Sequence, residues 1–264
     1  MLSIGVSSYN FKSHVASDVG IDQLFIPSNN ISSQDSLDTI HQWTADNKQR
    51  LNPKKTSTMV FNFTDDYQFA TRLYLENNLL ETVTETKLLG TLITSDLKWE
   101  KNTHMICSKA YKRMIILQKL SKFNPPTDDL LTVYKLYIRS ILEQNCQLWH
   151  FSIIQEDIES LERVQKVACK IILGSQYASY NDALITLNIQ SLYERRQNLS
   201  LKFAKRCVKH PKLFEMFPEN PSSEYSLRNT EKYTVYKSRT SRLQNSTIPQ
   251  LQRALNRDAI KSKT

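Results

Sequence analysis

Lys87-Leu88-Leu89-Gly90-Thr91-Leu92-Ile93, then Asp96-Leu97-Lys98-Trp99, runs straight into Asn102-Thr103-His104-Met105-Ile106. The fold reading turns on this stretch. Its first part is apolar and β-branched, which predicts a strand, and Gly90 permits a bulge or a close backbone approach. After Trp99 the period changes. Asn102 or Thr103 can cap a helix running to about Lys122. Its apolar stripe is Ile106, Ala110, Met114 (or Ile116) and Leu117, at helical spacing. Sheet therefore lies on one side of Trp99 and helix on the other.

Working upstream, Leu37, Ile40, Trp43 and Thr44 share one face of a helix that begins near Ser33 and stops near Leu51-Asn52-Pro53. Thr58–Phe63 reads as a strand. Thr71–Leu75 and Leu79–Val83 read as a hairpin turning at Asn77-Asn78. Residues 1–33 hold two short apolar patches, Leu2–Val6 and Leu24–Ile26, and read as an irregular arm. Downstream, Thr127 is placed to cap a helix whose expected buried face is Leu130, Val133, Tyr134, Tyr137, Ile141 and Leu142. A third helix starts near Ile154 and carries Ile158, Leu161, Val164, Ala168, Ile171 and Ile172, with Gly174 as its C-cap. Shorter helices follow at about 181–187 and 192–209, and residues 218–264 read as a basic, loosely ordered tail with one helix near Pro249–Asn256. The expected class is α+β: a small sheet and hairpin unit (34–100), then a mostly helical bundle (101–217).

Composition narrows the function classes. The 264 residues are 40% hydrophobic and 9% aromatic, enough for a core. Only 4 are Gly, which argues against a glycine-rich phosphate loop. No apolar run is long enough to span a membrane, and the first residues lack the pattern of a secretory signal, so no membrane partner is expected. Cys107, Cys146, Cys169 and Cys207 have no zinc-knuckle spacing and fit a reducing compartment, so an intracellular site, nuclear or cytoplasmic, is expected. Charge is uneven. Residues 1–100 hold 8 basic and 12 acidic side chains, whereas residues 101–264 hold 27 and 14, a net +13. The second half either faces a polyanion or carries ordinary solvated helix surface.

Motifs of the nucleotide-loop, dinucleotide, zinc-protease and serine-hydrolase kinds are absent. His104 and Cys107 stand three apart but lack further ligands. Asp65-Asp66 reads as a polar turn and Asp128-Asp129 as a helix start. The cations are more suggestive. Lys109, Lys112 and Arg113 lie on the first long helix. Arg163, Lys166 and Lys170 lie at i, i+3 and i+7 on the third, and Arg195, Arg196 and Lys202 on the last. Such stripes suit contact with a sugar-phosphate backbone without base reading.

Three ordered stretches carry a family resemblance. They are Ile40–Trp43 through Asn52-Pro53-Lys54-Lys55-Thr56 to Met59-Val60-Phe61; Lys87–Ile93 with Asp96–Trp99; and Tyr137–Glu143 with Trp149-His150, Leu161–Lys166 and Ile171–Leu173. Together they resemble the reverse transcriptases of non-LTR (LINE-like, jockey-type) retrotransposons over about residues 34–217. The resemblance implies a partial palm, a primer-grip-like hairpin centred on Leu88, Leu89 and Gly90, and a thumb-like bundle. It makes Lys55 the candidate lysine on the pyrophosphate side. The family's catalytic aspartate motifs have no counterpart here. The resemblance thus implies a truncated RNA-directed DNA polymerase that grips RNA or RNA–DNA duplex non-specifically and is not catalytic alone. No metal site and no cofactor are expected in this chain, since Mg²⁺ belongs to the full-length family enzyme. The alternatives are a helical protein-interaction module and an element remnant without nucleic-acid binding.

Overall fold

The computed structural model describes residues 33–49, 51–61, 72–220 and 231–261. Residues 1–32 of the expected 1–33 arm, the end of the strand at Asn62-Phe63, the acidic pair Asp65-Asp66, Thr71 and two parts of the tail (221–230 and 262–264) lie outside the described residues, while Ser33 opens the first helix. Two compact units divide the chain. One holds the described residues up to Leu89 together with Ile93–Leu97, and the other holds Gly90–Leu92 together with Lys98 onward.

In the first unit, helix α1 (Ser33–Asp46) sets Leu37 against Leu75 and Leu80, with Leu51 and Leu73 at the edge of this small core. The Gln34 amide clamps the backbone of Tyr74. Its Oε1 accepts from Tyr74 N at 2.9 Å and its Nε2 donates to Tyr74 O at 2.8 Å. Strand β1 (Ser57–Thr58) pairs in parallel with β4 (Glu81–Thr82), and β2 (Tyr74–Leu75) pairs antiparallel with β3 (Asn78–Leu79). The β2–β3 turn is Glu76-Asn77, one residue earlier than expected. Both have positive φ, 48° and 63°, the twist that a two-residue hairpin loop requires. Asn78 stays in the strand, and its amide donates to Glu76 O at 3.0 Å.

The Lys87–Ile93 stretch is not one strand. Glu85–Leu88 (β5) and Thr91–Thr94 (β6) pair as a hairpin, and Leu89 and Gly90 form its turn with φ of 44° and 86°. Glycine takes that conformation without a Cβ clash, and a two-residue turn of this hand explains why the chain reverses instead of bulging.

The second unit is helical. Helix α2 (Glu100–Ser121) packs most extensively on α6 (Gln155–Leu173). Ile106, Ala110, Met114 and Leu117 are buried on α2, while Ile116 is exposed. Asn102 and Thr103 are not caps but buried residues inside the helix. Asn102 Oδ1 accepts from Leu92 N at 3.1 Å, a bond within the helical unit. Between Thr127 and Glu143 the chain is one helical run in three parts: α3 (Thr127–Val133), a π-helical segment (Tyr134–Arg139) and α4 (Ser140–Glu143). Thr127 is the first residue of α3 and makes no side-chain cap; Pro126 precedes it. The wider π turn advances the helical phase. Ile138 is therefore fully buried where Tyr137, expected inside, is 41% exposed. Short α5 (Cys146–Trp149), α7 (Tyr180–Thr186) and long α8 (Leu192–Val208) complete the bundle. Gly174 closes α6 at φ 52° as expected.

The C-terminal region departs furthest from expectation. Short α9 (Ser241–Gln244) leads into α10 (Thr247–Lys261), which packs on α8. Leu251 and Leu255 join Ala204, Cys207, Phe217 and Tyr233 in a second core. What reads as loose tail is thus, at 231–261, held to the bundle. The cause is an amphipathic period of Leu251, Gln252, Leu255 and Asn256, in which two buried amides take apolar places on the inner face.

A Gly90→Ala substitution imposes a Cβ on a φ of 86° and sets it 2.3 Å from Gln144 Nε2. Urea unfolding is expected to show a loss of about 1–2 kcal/mol, chiefly from backbone strain since the Gln144 side chain can turn away. Gly90→Asn, which tolerates this region, is expected to lose less.

Candidate nucleic-acid interface

The side chains that could meet a polyanion are placed by a hydrogen-bond network that runs from buried Gln165 to the exposed start of α8. Ser191 N-caps α8, its Oγ accepting from Glu194 N at 3.2 Å, in the Ser-x-x-Glu spacing of a capping box. The first two α8 amides turn to Glu162 on α6. Leu192 N donates to Glu162 Oε1 at 3.1 Å and Tyr193 N to Oε2 at 3.3 Å. A carboxylate at a helix N-terminus also gains from the dipole. The same Oε1 accepts from the Tyr180 hydroxyl of α7. Fully buried Gln165 ties in the rest. Its Oε1 accepts from Tyr134 OH at 2.5 Å, and its Nε2 donates to Tyr180 OH at 2.8 Å and to Gln190 O at 2.9 Å. Burial, with the Glu162 hydrogen bond next, raises the Tyr180 phenol above its ordinary value, and burial raises that of Tyr134, so both remain donors. Glu162, Gln165 and Tyr180 were not singled out in the sequence. The one signal for this joint was the Ser191-x-x-Glu194 spacing.

On this frame the cations part company. Arg196 is fully buried and cannot reach a phosphate, contrary to expectation. It lies one turn from the Ser191 cap on the inner face of α8. Its Nε donates to His150 Nδ1 at 3.3 Å, and its guanidinium stands 5.7 Å from the centre of the Trp149 ring. Arg195 is bound to Glu143, Nε to Oε1 at 3.0 Å, and Arg139 shares that carboxylate. Arg113 donates to Tyr137 O at 2.8 Å and lies 4.3 Å over the Tyr137 ring. Lys109 is half-buried. Lys112, Arg163, Lys166, Lys170 and Lys202 are exposed, and among the described residues they make no ion pair. Lys166 and Lys170 are steadied instead over the Tyr180 and Tyr177 rings, at 5.2 and 5.4 Å.

Lys112 and Arg163 line one groove. It is a cavity of about 900 Å³ between α2 and α6, with Tyr111, Ile115 and Ile154 as apolar lining and Glu100, Glu156 and Asp157 at the helix starts. Burial, then Glu100 and Glu156, raise the Asp157 carboxyl above its ordinary value. His104 and Cys107 also line this groove. Cys107 is buried, its thiol pushed up to about 11 by burial first and by Asp157 second. Among the described residues no group of three or more His, Cys, Asp or Glu side chains is disposed to hold a metal ion.

Of the remaining expected site residues, Leu88 is half-buried at the end of β5, and Leu89 at the hairpin tip is 73% exposed. Lys55 is exposed in a single 3₁₀ turn, Pro53–Lys55, which Asn52 caps by accepting from Lys54 N at 3.0 Å. Comparison of the chain with protein-family models, with curated proteins and with solved structures finds no match in any of the three.

Two outcomes are expected. Glu162→Gln removes the charge that faces the α8 amides and is expected to cost about 1–2 kcal/mol in chemical denaturation. Burial, then Arg196, push the His150 imidazole down from 6.5 to about 3, so it is neutral in the fold. The unfolded chain takes up that proton first. The stabilising contribution is complete above 6.5 and is lost as pH falls toward 3. Between 6.5 and about 5 the loss is expected to reach about 2 kcal/mol, and His150→Gln is expected to flatten that slope in denaturation series.

Proposed function

We propose that this chain is the duplex-gripping portion of a reverse transcriptase of the non-LTR retrotransposon kind, and that it holds RNA or RNA–DNA duplex through the backbone without catalysing polymerisation alone. The observation that carries the reading is the exposed stripe Arg163, Lys166 and Lys170 on α6, free of ion pairs among the described residues, with Lys112 across the groove from Arg163. Cations that pair with no carboxylate meet phosphates at little cost, since no salt bridge has to be broken first. The net +13 of residues 101–264 supports the same reading, and so does the exposed Leu89 tip of a tight hairpin. In this reading Leu88, Leu89 and Gly90 form a primer-grip-like turn and Lys55 is a vestige of the pyrophosphate side. The reading does not include a membrane, and among the described residues no helix is long and apolar enough to cross one.

A second reading rests on an apolar run that starts at Ile115 in the same groove and extends past the end of α2. Ile115, Ile116, Leu120 and Phe123 are exposed toward the end of α2, Phe123 by 83%, and an apolar run of this kind suits a protein partner.

Fluorescence anisotropy with an RNA–DNA duplex across a salt series separates the two. Affinity is expected to fall steeply with salt and to ignore base sequence. Neutralising Arg163, Lys166 and Lys170 together is expected to reduce the log–log salt slope by about 2–3. An unchanged slope counts against this surface. Primer extension with Mg²⁺ or Mn²⁺ is expected to yield no product, and an extended primer would refute the non-catalytic part.

A further inference from the structure

The C-terminal region carries a second positive feature, separate from α6. Two buried amides on α10 hold an extended segment beside the helix. Asn256 Oδ1 accepts from Tyr233 N at 2.8 Å and its Nδ2 donates to Tyr233 O at 2.9 Å. One turn earlier, Gln252 Oε1 accepts from Tyr236 N at 3.2 Å, while its Nε2 donates to Met216 O at 2.8 Å. The same segment makes one isolated antiparallel bridge, Tyr233 with Glu219, with Asn220 N donating to Lys232 O at 2.9 Å and Thr234 N to Pro218 O at 2.8 Å, so it is fixed by these backbone bonds and by the α10 amides together. Its next residues, Lys237 and Ser238, therefore have a set position opposite α10.

Between them lies a cavity of about 480 Å³. From α10 it receives Arg253, Arg257 and Ile260, at i, i+4 and i+7 along one face, and from the extended segment Tyr236 and Lys237. Arg253 is braced, its Nη1 donating to Gln244 O at 2.7 Å. Lys237 and Arg257 are exposed and form no ion pair among the described residues. Among the described residues Glu231 is the single acid in the lining, against three cations. The volume lies in the range of small-molecule sites and exceeds what one phosphate group fills. Tyr236 and Ile260 offer a face for an organic moiety beside the cations.

We propose that this cavity binds a phosphomonoester attached to a ring-bearing group: a free nucleotide, or the terminal phosphate of a nucleic-acid strand. Converging Arg and Lys side chains favour a doubly charged phosphate over a singly charged diester. The site is independent of the α6 stripe and stands whether or not α6 grips a duplex.

The test uses the whole chain. Calorimetric titrations with AMP, with adenosine and with inorganic phosphate measure the free-ligand arm. Anisotropy with one single strand, carrying either a 5′-phosphate or a 5′-hydroxyl, measures the strand arm. AMP is expected to bind at least tenfold more tightly than adenosine if the source is a nucleotide. The 5′-phosphorylated strand is expected to exceed its hydroxyl twin if the source is a strand end. In either arm, Lys237→Ala with Arg257→Ala is expected to remove the preference for phosphate, while thermal unfolding confirms an intact fold. Arg257→Lys is expected to restore part of it in a Lys237 background. Absence of any phosphate preference in both arms overturns the proposal, as does a preference that the double variant leaves unchanged. Loss of the duplex salt slope on neutralising Arg163, Lys166 and Lys170 bears on α6 alone and leaves this result untouched.

Discussion

The helical unit depends on one carboxylate. Glu162 accepts the first two amides of α8 and the Tyr180 hydroxyl of α7, so three helices meet at a single side chain. A helix start needs partners for its free N–H groups, and a negative charge there is favoured twice, by hydrogen bonding and by the dipole. Gln165, one turn along α6, extends the joint to Tyr134 in the π segment. Side-chain hydrogen bonds of this number in a closed core hold their helices to one rotation each, because any slip leaves a buried polar atom unpaired.

That rotation decides where the cations point. With Leu192 inward and Ser191 at the cap, α8 turns Arg196 into the core beneath Trp149 and leaves Arg195 to Glu143. On α6 the same register buries Leu161, Val164, Ala168 and Ile172 and turns Arg163, Lys166 and Lys170 out. The exposed side of α6 begins with Glu156 and Glu159 and ends with these bases, an order the helix dipole favours by itself. The basic character of the region is therefore partly a consequence of helix stability. The distinguishing feature is narrower: cations that have no acidic partner among the described residues, two of them resting on tyrosine rings.

The C-terminal region shows the same economy of means with amides in place of a carboxylate. Gln252 and Asn256 hold an extended segment whose backbone otherwise makes one isolated bridge, Tyr233 with Glu219, and both lie within a helix whose apolar residues dock on α8. A buried amide satisfied on both its oxygen and nitrogen costs little, and it fixes the direction of the segment it binds.

Much of this was legible from the chain alone. The change of period at Trp99, the inner faces of α2 and α6, and the stop at Gly174 follow from local spacing and backbone preference, which act over a few residues. The hairpin turn at Leu89-Gly90 was half visible: the glycine marked a special backbone site, but strand pairing decided between a bulge and a reversal. Tyr137 and Ile138 exchanged places because a π turn shifts helical phase, and that turn is set by packing. Arg196 looked like the other bases of α8, since one residue along a helix moves a side chain by about 100° and only the packed register tells which falls inside. Glu162, Gln165, Gln252 and Asn256 are ordinary polar residues in sequence. They become organising residues when the fold brings to them backbone groups 16 to 36 positions away.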